Sequence, residues 1–195
     1  EPDDGQVAFL GRDITRLPPH ARAQLGLARS FQITSLMLDM TVRDNVALAI
    51  QAHDGHSFRF WRDARRDTAL TDRAMQALAR VGLEGRADTI AQQMSHGEHR
   101  QLEIALALAT DPKLLLLDEP MAGMGSEEAA RMVEILRDLK GSKTMLLIEH
   151  DMDAVFALAD RITVLVYGKV IATGKPDEIR ADESVRRAYL GDEAG

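Results

Sequence analysis

Residues 114–120 read Leu114-Leu115-Leu116-Leu117-Asp118-Glu119-Pro120, and the architecture can be worked out from this stretch. Four leucines with no polar interruption, closed by a proline, predict a short strand that is buried on both faces of a mostly parallel sheet. Successive side chains on a strand point to opposite faces, so Asp118 and Glu119 can take different roles at its carboxyl end. One can hold a cation while the other orients a water molecule. The alternative is a structural strand whose acids only cap the next turn.

Two further candidate strands end in polar side chains of chemical interest. Residues 144–149 predict a second buried strand with His150 directly after it, and residues 25–32 predict another strand that ends in Gln32. Ligands of open α/β sheets bind outside the carboxyl ends of the strands, so both side chains join the acids as candidates. Taken alone, a histidine or a glutamine is more often a structural or surface residue.

The segment Met94-Ser95-His96-Gly97-Glu98 lies at the start of a predicted helix with an apolar stripe. Its amino end offers a serine, a glycine and unpaired backbone N–H groups, which together with the helix dipole favour a phosphate ligand. The other interpretation is an ordinary serine-capped helix.

The remaining sequence predicts helices around this core. Between residues 41 and 94 the strand pattern disappears, which predicts an all-helical lobe inserted into the sheet domain. Thr41 is expected to cap one helix of this lobe, and Ser126 is expected to cap a helix that follows the leucine strand. Residues 6–10 predict a strand, and residues 162–172 predict a hairpin-like strand pair.

Composition excludes several classes of protein. A net charge of −7 and a pI near 5.4 argue against a nucleic-acid partner, because binding to phosphate backbones requires a surplus of Lys and Arg. The chain has no cysteine, which excludes disulfides and thiolate metal sites. No apolar run approaches the roughly 20 residues that span a bilayer, so a membrane role would have to come through a partner.

Taken in order, Gln32, residues 94–98, residues 114–120 and His150 resemble the ATPase domain of ABC transporters over nearly the whole chain. The signature loop of this family is usually Leu-Ser-Gly-Gly-Gln, and Met-Ser-His-Gly-Glu keeps its serine and second glycine. The leucine strand matches the Walker B strand of the family fully. Residues 28–32, 119–123 and 167–172 look most like the ATPases of branched-chain amino acid importers.

The resemblance implies the architecture of a P-loop NTPase. It predicts an α/β fold with a mostly parallel sheet, helices on both faces, an inserted all-helical subdomain and a small antiparallel β element. Residues 1–195 would form a partial ABC ATPase domain, with residues 1–33 and 95–195 as the ATPase core and residues 34–94 as the helical subdomain that docks on the transporter.

The resemblance also assigns roles at the sheet edge. Asp118 would help to hold Mg²⁺, and Glu119 would be the base that polarises the attacking water. Gln32 would contact the metal or the water, and His150 would reach the γ-phosphate of ATP.

A second set of residues would act on another subunit. Ser95 and Gly97, with Glu98 beside them, would contact the γ-phosphate of an ATP bound mainly by the opposite subunit, so hydrolysis would require a homodimer or heterodimer. The family's other partners are transmembrane permease subunits and, indirectly, a solute-binding protein, which places the chain at the cytoplasmic face of a bacterial inner membrane. The similar ATPase of lipopolysaccharide export and a non-hydrolysing docking or regulatory module are the alternatives to an amino acid importer.

The sequence departs from the family pattern at two places. Gly125 stands where the loop after Walker B usually has an aspartate. The phosphate loop Gly-x-x-x-x-Gly-Lys-[Ser/Thr] is also absent from the 195 residues, since the Gly-Lys pairs at 168–169 and 174–175 lack the rest of the motif. We therefore predict that the natural protein carries this Walker A loop upstream, and that these 195 residues alone are inactive in hydrolysis.

Overall fold

The computed structural model describes residues 4–29, 36–55 and 67–190. The chain divides into two compact units, Glu1–Ile148 and Glu149–Gly195. The elements of the first unit are β1 (Ala8–Phe9), β2 (Arg12–Asp13), α1 (Pro19–Gln24), β3 (Leu27–Arg29), α2 (Val42–His53), α3 (Thr68–Ala79), α4 (His96–Ala109), β4 (Leu114–Asp118), α5 (Ser126–Lys140) and β5 (Thr144–Ile148). Those of the second unit are α6 (Met152–Leu158), β6 (Ile162–Val166), β7 (Lys169–Gly174), α7 (Pro176–Ala181) and α8 (Glu183–Leu190).

The leucine strand is the centre of a three-stranded parallel sheet with the order β3-β4-β5. This confirms the predicted parallel sheet. Leu115 and Leu117 are buried, whereas Leu114 and Leu116 on the opposite face are only partly buried. The predicted burial on both faces is therefore wrong for the described residues, because only one face of the strand is fully covered.

Strand β5 differs from its prediction in the same way. An apolar run was expected to give a buried strand, but the side chains of Leu146 and Ile148 are each 55% exposed. Within the described residues, β5 pairs with β4 alone and so lies at the edge of this sheet. An apolar run specifies a strand but does not specify how many neighbours that strand has.

The described part of residues 34–94 forms two helices and two short 3-10 turns. Thr41 caps α2 as predicted, since its Oγ1 accepts a hydrogen bond from the N–H of Asp44 at 3.0 Å. Helices α2 and α3 pack on each other and on α4, and the residues between them are apolar and buried, among them Val46, Leu78 and Leu102. Division of the chain into an ATPase core and a helical subdomain stays a prediction.

The strand predicted over residues 6–10 is shorter than expected. Leu10 and Gly11 both have positive φ, 51° and 75°, so the chain turns back after Phe9 and β1 pairs with β2 in a small antiparallel hairpin. Two consecutive residues with positive φ are typical of the tight turns that join such strands.

The second unit contains the predicted hairpin. Strands β6 and β7 pair in antiparallel fashion around Tyr167 and Gly168, whose φ angles are 48° and 75°. The inner face of this hairpin packs against α7 and α8 in a small core formed by Ile162, Val164, Ile179 and Val185. In the part of the chain that the structure describes, no helix combines the length and apolar character needed to cross a bilayer.

Candidate functional site

The end of the central strand places Asp118 and Glu119 at the edge of the sheet. Asp118 is the last residue of β4 and stands opposite Ile148 in register. Glu119 follows with a φ of 47°, its N–H donates to the Ile148 carbonyl at 2.9 Å, and its own carbonyl accepts from the N–H of Ala122 at 3.1 Å. A non-glycine residue in the left-handed region costs about 1 kcal/mol or more and is often found at functional sites.

The carboxylate of Asp118 contacts a basic side chain from the neighbouring strand. Arg29 Nη2 donates to Asp118 Oδ2 at 3.2 Å, and the two side chains are 57% and 21% exposed. Arg29 stands opposite Leu116 in register, and positions 116 and 118 share one face of β4, so the arginine reaches along that face. Sequence analysis missed Arg29, because its place depends on which strand lies beside β4.

Asp118 is the carboxylate at the end of β4 that could hold a magnesium ion. Among the described residues, no group of three or more His, Cys, Asp or Glu side chains is arranged to hold a metal ion. Magnesium at phosphoryl-transfer sites is commonly held by one or two carboxylates with substrate phosphates and water, so a single partly exposed carboxylate fits that ion.

The amino end of α4 forms a complete capping box. Ser95 is the N-cap residue: its Oγ accepts from the N–H of Glu98 at 3.2 Å, while its own N–H donates to Glu98 Oε2 at 2.9 Å. The second carboxylate oxygen of Glu98 accepts from Arg86 Nε at 3.0 Å. This geometry is that of the serine-capped helix, and it uses both oxygens of Glu98 within the same unit.

The signature segment, residues 94–98, also contacts the loop after β4 and the first turn of α5. Ser95 Oγ donates to Glu128 Oε1 at 3.1 Å, and Nε2 of His96 lies 3.3 Å from the carbonyl oxygen of Ala122. Gly97 is buried, and the Glu128 carboxylate lies directly over it. A Cβ at this position would lie only 2.6 Å from Glu128 Oε1. None of these three contacts could be predicted from sequence spacing.

The cap of α5 corrects a sequence prediction. Gly125 is the N-cap residue, and Ser126, predicted for that position, is the first residue of the helix. Glu128 explains the shift, because its Oε2 accepts a hydrogen bond from the N–H of Gly125 at 3.4 Å. A glutamate at the third helical position can satisfy the N-cap backbone, and glycine is tolerated there.

The predicted site residues lie on different elements of the chain. Asp118 and Glu119 lie together at the end of β4, and Ser95, Gly97 and Glu98 lie together at the start of α4. His150 belongs to the second unit and is 75% exposed, with its Nδ1 3.9 Å from Glu149 Oε2. It precedes Asp151, which caps α6. Gln32 lies outside the described residues.

Comparison with known proteins agrees with this architecture. Residues 1–122 match the family model described as ABC transporter, and residues 169–195 match the model described as branched-chain amino acid ATP-binding cassette transporter. The chain is 36% identical to the high-affinity branched-chain amino acid transport ATP-binding protein LivG of Salmonella typhimurium, over 98% of the chain and 78% of that protein. It is 34% identical to the lipopolysaccharide export system ATP-binding protein LptB of Acidithiobacillus ferridurans, over 98% of the chain and 76% of the relative.

A solved structure shares the fold. The ADP conformation of MJ1267, an ATP-binding cassette of an ABC transporter, superimposes with a TM-score of 0.79 at 28% identity, covering 97% of the chain and 78% of that structure. The sheet ends in paired acids on its central strand, and the similarity to ABC transporter ATPases extends along nearly the entire sequence. The chain belongs to the ATP-hydrolysing subunits of the ABC transporter family.

Proposed function

We propose that the chain energises the import of branched-chain or related amino acids. The observation that carries this proposal is the match of residues 169–195 to the model described as branched-chain amino acid ATP-binding cassette transporter. The match to residues 1–122 is to ABC transporters in general, so it does not favour one solute over another. The similarity to LivG along 98% of the chain supports the same solute class.

At the sheet edge, we infer that the two acids have different roles in hydrolysis. Asp118 would hold Mg²⁺, which when bound neutralises charge on the phosphate oxygens. Glu119 would orient and polarise the attacking water, because phosphoryl transfer depends mainly on positioning and charge stabilisation. For Gln32 as a metal or water contact, and for His150 as a γ-phosphate contact, the support is the family resemblance.

The amino end of α4 is proposed to act on a second subunit. Ser95 and Gly97 would contact the γ-phosphate of ATP held mainly by that subunit. Glu98 would stabilise the amino end of α4 through its capping box. The backbone N–H groups and the dipole at the start of a helix favour such an anion. The other proposed partners are permease subunits, contacted through residues 34–94 at the cytoplasmic face of a bacterial inner membrane, and indirectly a solute-binding protein.

Transport by the assembled complex tests this function. The complete gene product is reconstituted into proteoliposomes with its permease subunits and the solute-binding protein proposed as its partner. Uptake of radiolabelled leucine is then measured with ATP on the side of the membrane that carries the ATPase subunit. Glu119→Gln is expected to lower the rate of ATP hydrolysis about 100-fold or more, as loss of a general base does. Glu134→Gln is the matched control, because Glu134 is an exposed residue on α5.

Lipopolysaccharide export is the second candidate function, supported by the 34% identity to LptB. ATP hydrolysis that depends on Glu119, without uptake of any branched-chain amino acid, would contradict the importer and favour export. Absence of ATP binding by the complete gene product would instead favour a docking module.

A further inference from the structure

The hydroxyl proton of Ser95 is already in use within the subunit. Ser95 Oγ accepts from the N–H of Glu98 and donates to Glu128 Oε1 at 3.1 Å. A serine hydroxyl has a single O–H donor. A phosphate oxygen can therefore receive a hydrogen bond from Ser95 only after this bond to Glu128 has broken.

The same carboxylate covers Gly97. The Cβ that a larger residue would place at position 97 lies 2.6 Å from Glu128 Oε1 and 2.7 Å from its carboxyl carbon. One negatively charged group thus occupies the surface of both residues for which a phosphate contact is proposed. A carboxylate and a phosphate repel each other at such short range, so the two groups cannot share this surface without a cost in free energy.

Glu128 also joins the signature segment to the loop after β4. Its Oε2 accepts from the N–H of Gly125, while its Oε1 accepts from Ser95. Movement of this side chain therefore releases a backbone group of residues 121–125 and the signature serine in one step. The contact of His96 with the Ala122 carbonyl is separate and does not involve the carboxylate.

We propose that Glu128 is an internal competitor of the γ-phosphate, an inference that rests on the proposed function of Ser95 and Gly97. Within one subunit its carboxylate holds the Ser95 hydroxyl and lies against Gly97. ATP presented by the second subunit displaces the carboxylate, and the displacement frees the N–H of Gly125. Glu128 is a positioning residue that sets the ATP concentration at which two subunits associate.

Association driven by ATP tests this role. The complete gene product carrying Glu119→Gln, in which hydrolysis is expected to be slow, is titrated with Mg-ATP, and dimer formation is followed by sedimentation velocity. Glu128→Gln in this background removes the charge at nearly constant side-chain size. The ATP concentration at half-dimerisation is expected to fall about fivefold, because a glutamine oxygen still accepts from Ser95 but the charge-assisted hydrogen bond is weakened to a neutral one. Glu127→Gln, the same change at the exposed neighbouring position, is expected to leave it unchanged.

A purely structural role of Glu128 predicts the opposite change in the ATP requirement. If Glu128 only stabilised the start of α5, its replacement would lower the melting temperature and also raise the ATP requirement. Our inference predicts a melting temperature that is unchanged or slightly lower, together with a lower ATP requirement. In a Ser95→Ala background the effect of Glu128→Gln on the ATP requirement should become smaller, because the hydrogen bond between positions 95 and 128 is then absent while the side chain at 128 still lies against Gly97.

If the Glu119→Gln parent dimerises with ATP but Glu128→Gln leaves the ATP requirement unchanged or raises it, competition by Glu128 is refuted and the proposed function stands. If the parent itself fails to dimerise at saturating Mg-ATP, the proposed role of Ser95 and Gly97 fails, and the competitor role fails with it.

Discussion

Replacement of Leu115 by alanine measures how much the central strand contributes to the stability of the first unit. Leu115 is 0% exposed and stands in register between Ala28 and Met145. The substitution removes three buried carbon atoms, worth about 0.8 kcal/mol each in transfer free energy. With the cavity that remains in a closely packed interior, we expect a loss of about 3 kcal/mol in the free energy of unfolding.

Urea denaturation followed by far-ultraviolet circular dichroism provides the assay. With an m-value of about 2 kcal/mol/M, a loss of this size lowers the midpoint by about 1.5 M urea at constant slope. Leu116→Ala is the matched control, since it makes the same chemical change at the next position of the strand. Leu116 lies on the face that is only partly buried, so its replacement is expected to cost about 1 kcal/mol.

Equal losses for the two variants would refute this reasoning. They would mean that both faces of the strand are covered to the same extent, as the leucine run by itself suggests. A loss below about 1 kcal/mol for Leu115→Ala would show that the site collapses around the smaller side chain, in contradiction to a packed interior.

Three smaller effects follow from other contacts. Arg29→Met is expected to lower the free energy of unfolding by no more than about 0.5 kcal/mol, because the ion pair with Asp118 is partly exposed. The difference from wild type should vanish in concentrated salt. A loss above about 2 kcal/mol in urea denaturation would contradict this expectation. The hydrogen bond and charge of Lys143 lower the pKa of Asp111. The pair's contribution, about 0.5 kcal/mol for an exposed carboxylate, is therefore fully present above the unfolded-state pKa of about 3.9 and is lost as the pH falls through the lower folded-state pKa. The difference between wild type and Asp111→Asn in thermal unfolding should shrink over the same range, and a difference that grows on acidification would overturn the assignment. Gly168→Ala places a side chain at a φ of 75° and should cost about 1 kcal/mol, whereas Gly168→Asn should cost less; equal melting temperatures for the two variants would argue against this turn.

Local signals in the sequence predicted several elements correctly. The apolar run of β4 predicted a strand, and its position in a parallel sheet is confirmed. Thr41 and Ser95 were expected at helix starts, and both are N-cap residues. These predictions succeed because strand periodicity and helix capping depend on residues only a few positions apart.

Two predictions, the burial of β5 and the N-cap of α5, are wrong because they depend on residues outside the segment itself. The sequence of β5 is apolar, yet Leu146 and Ile148 are exposed because the strand has one neighbour in the described sheet. Ser126 has the right chemistry for an N-cap, but Glu128 satisfies the backbone of Gly125 one position earlier. In both cases a local preference was overridden by the arrangement of neighbouring elements.

The sequence by itself determined the central strand, the two acids at its end, the serine at the start of α4 and the family to which the residues point. Only the tertiary structure decided which side chains those groups meet. Arg29 and Asp118 are 89 positions apart, and Ser95 and Glu128 are 33 positions apart. Such contacts depend on strand order and on how the starts of two helices pack together, and neither is encoded in the spacing of a short segment.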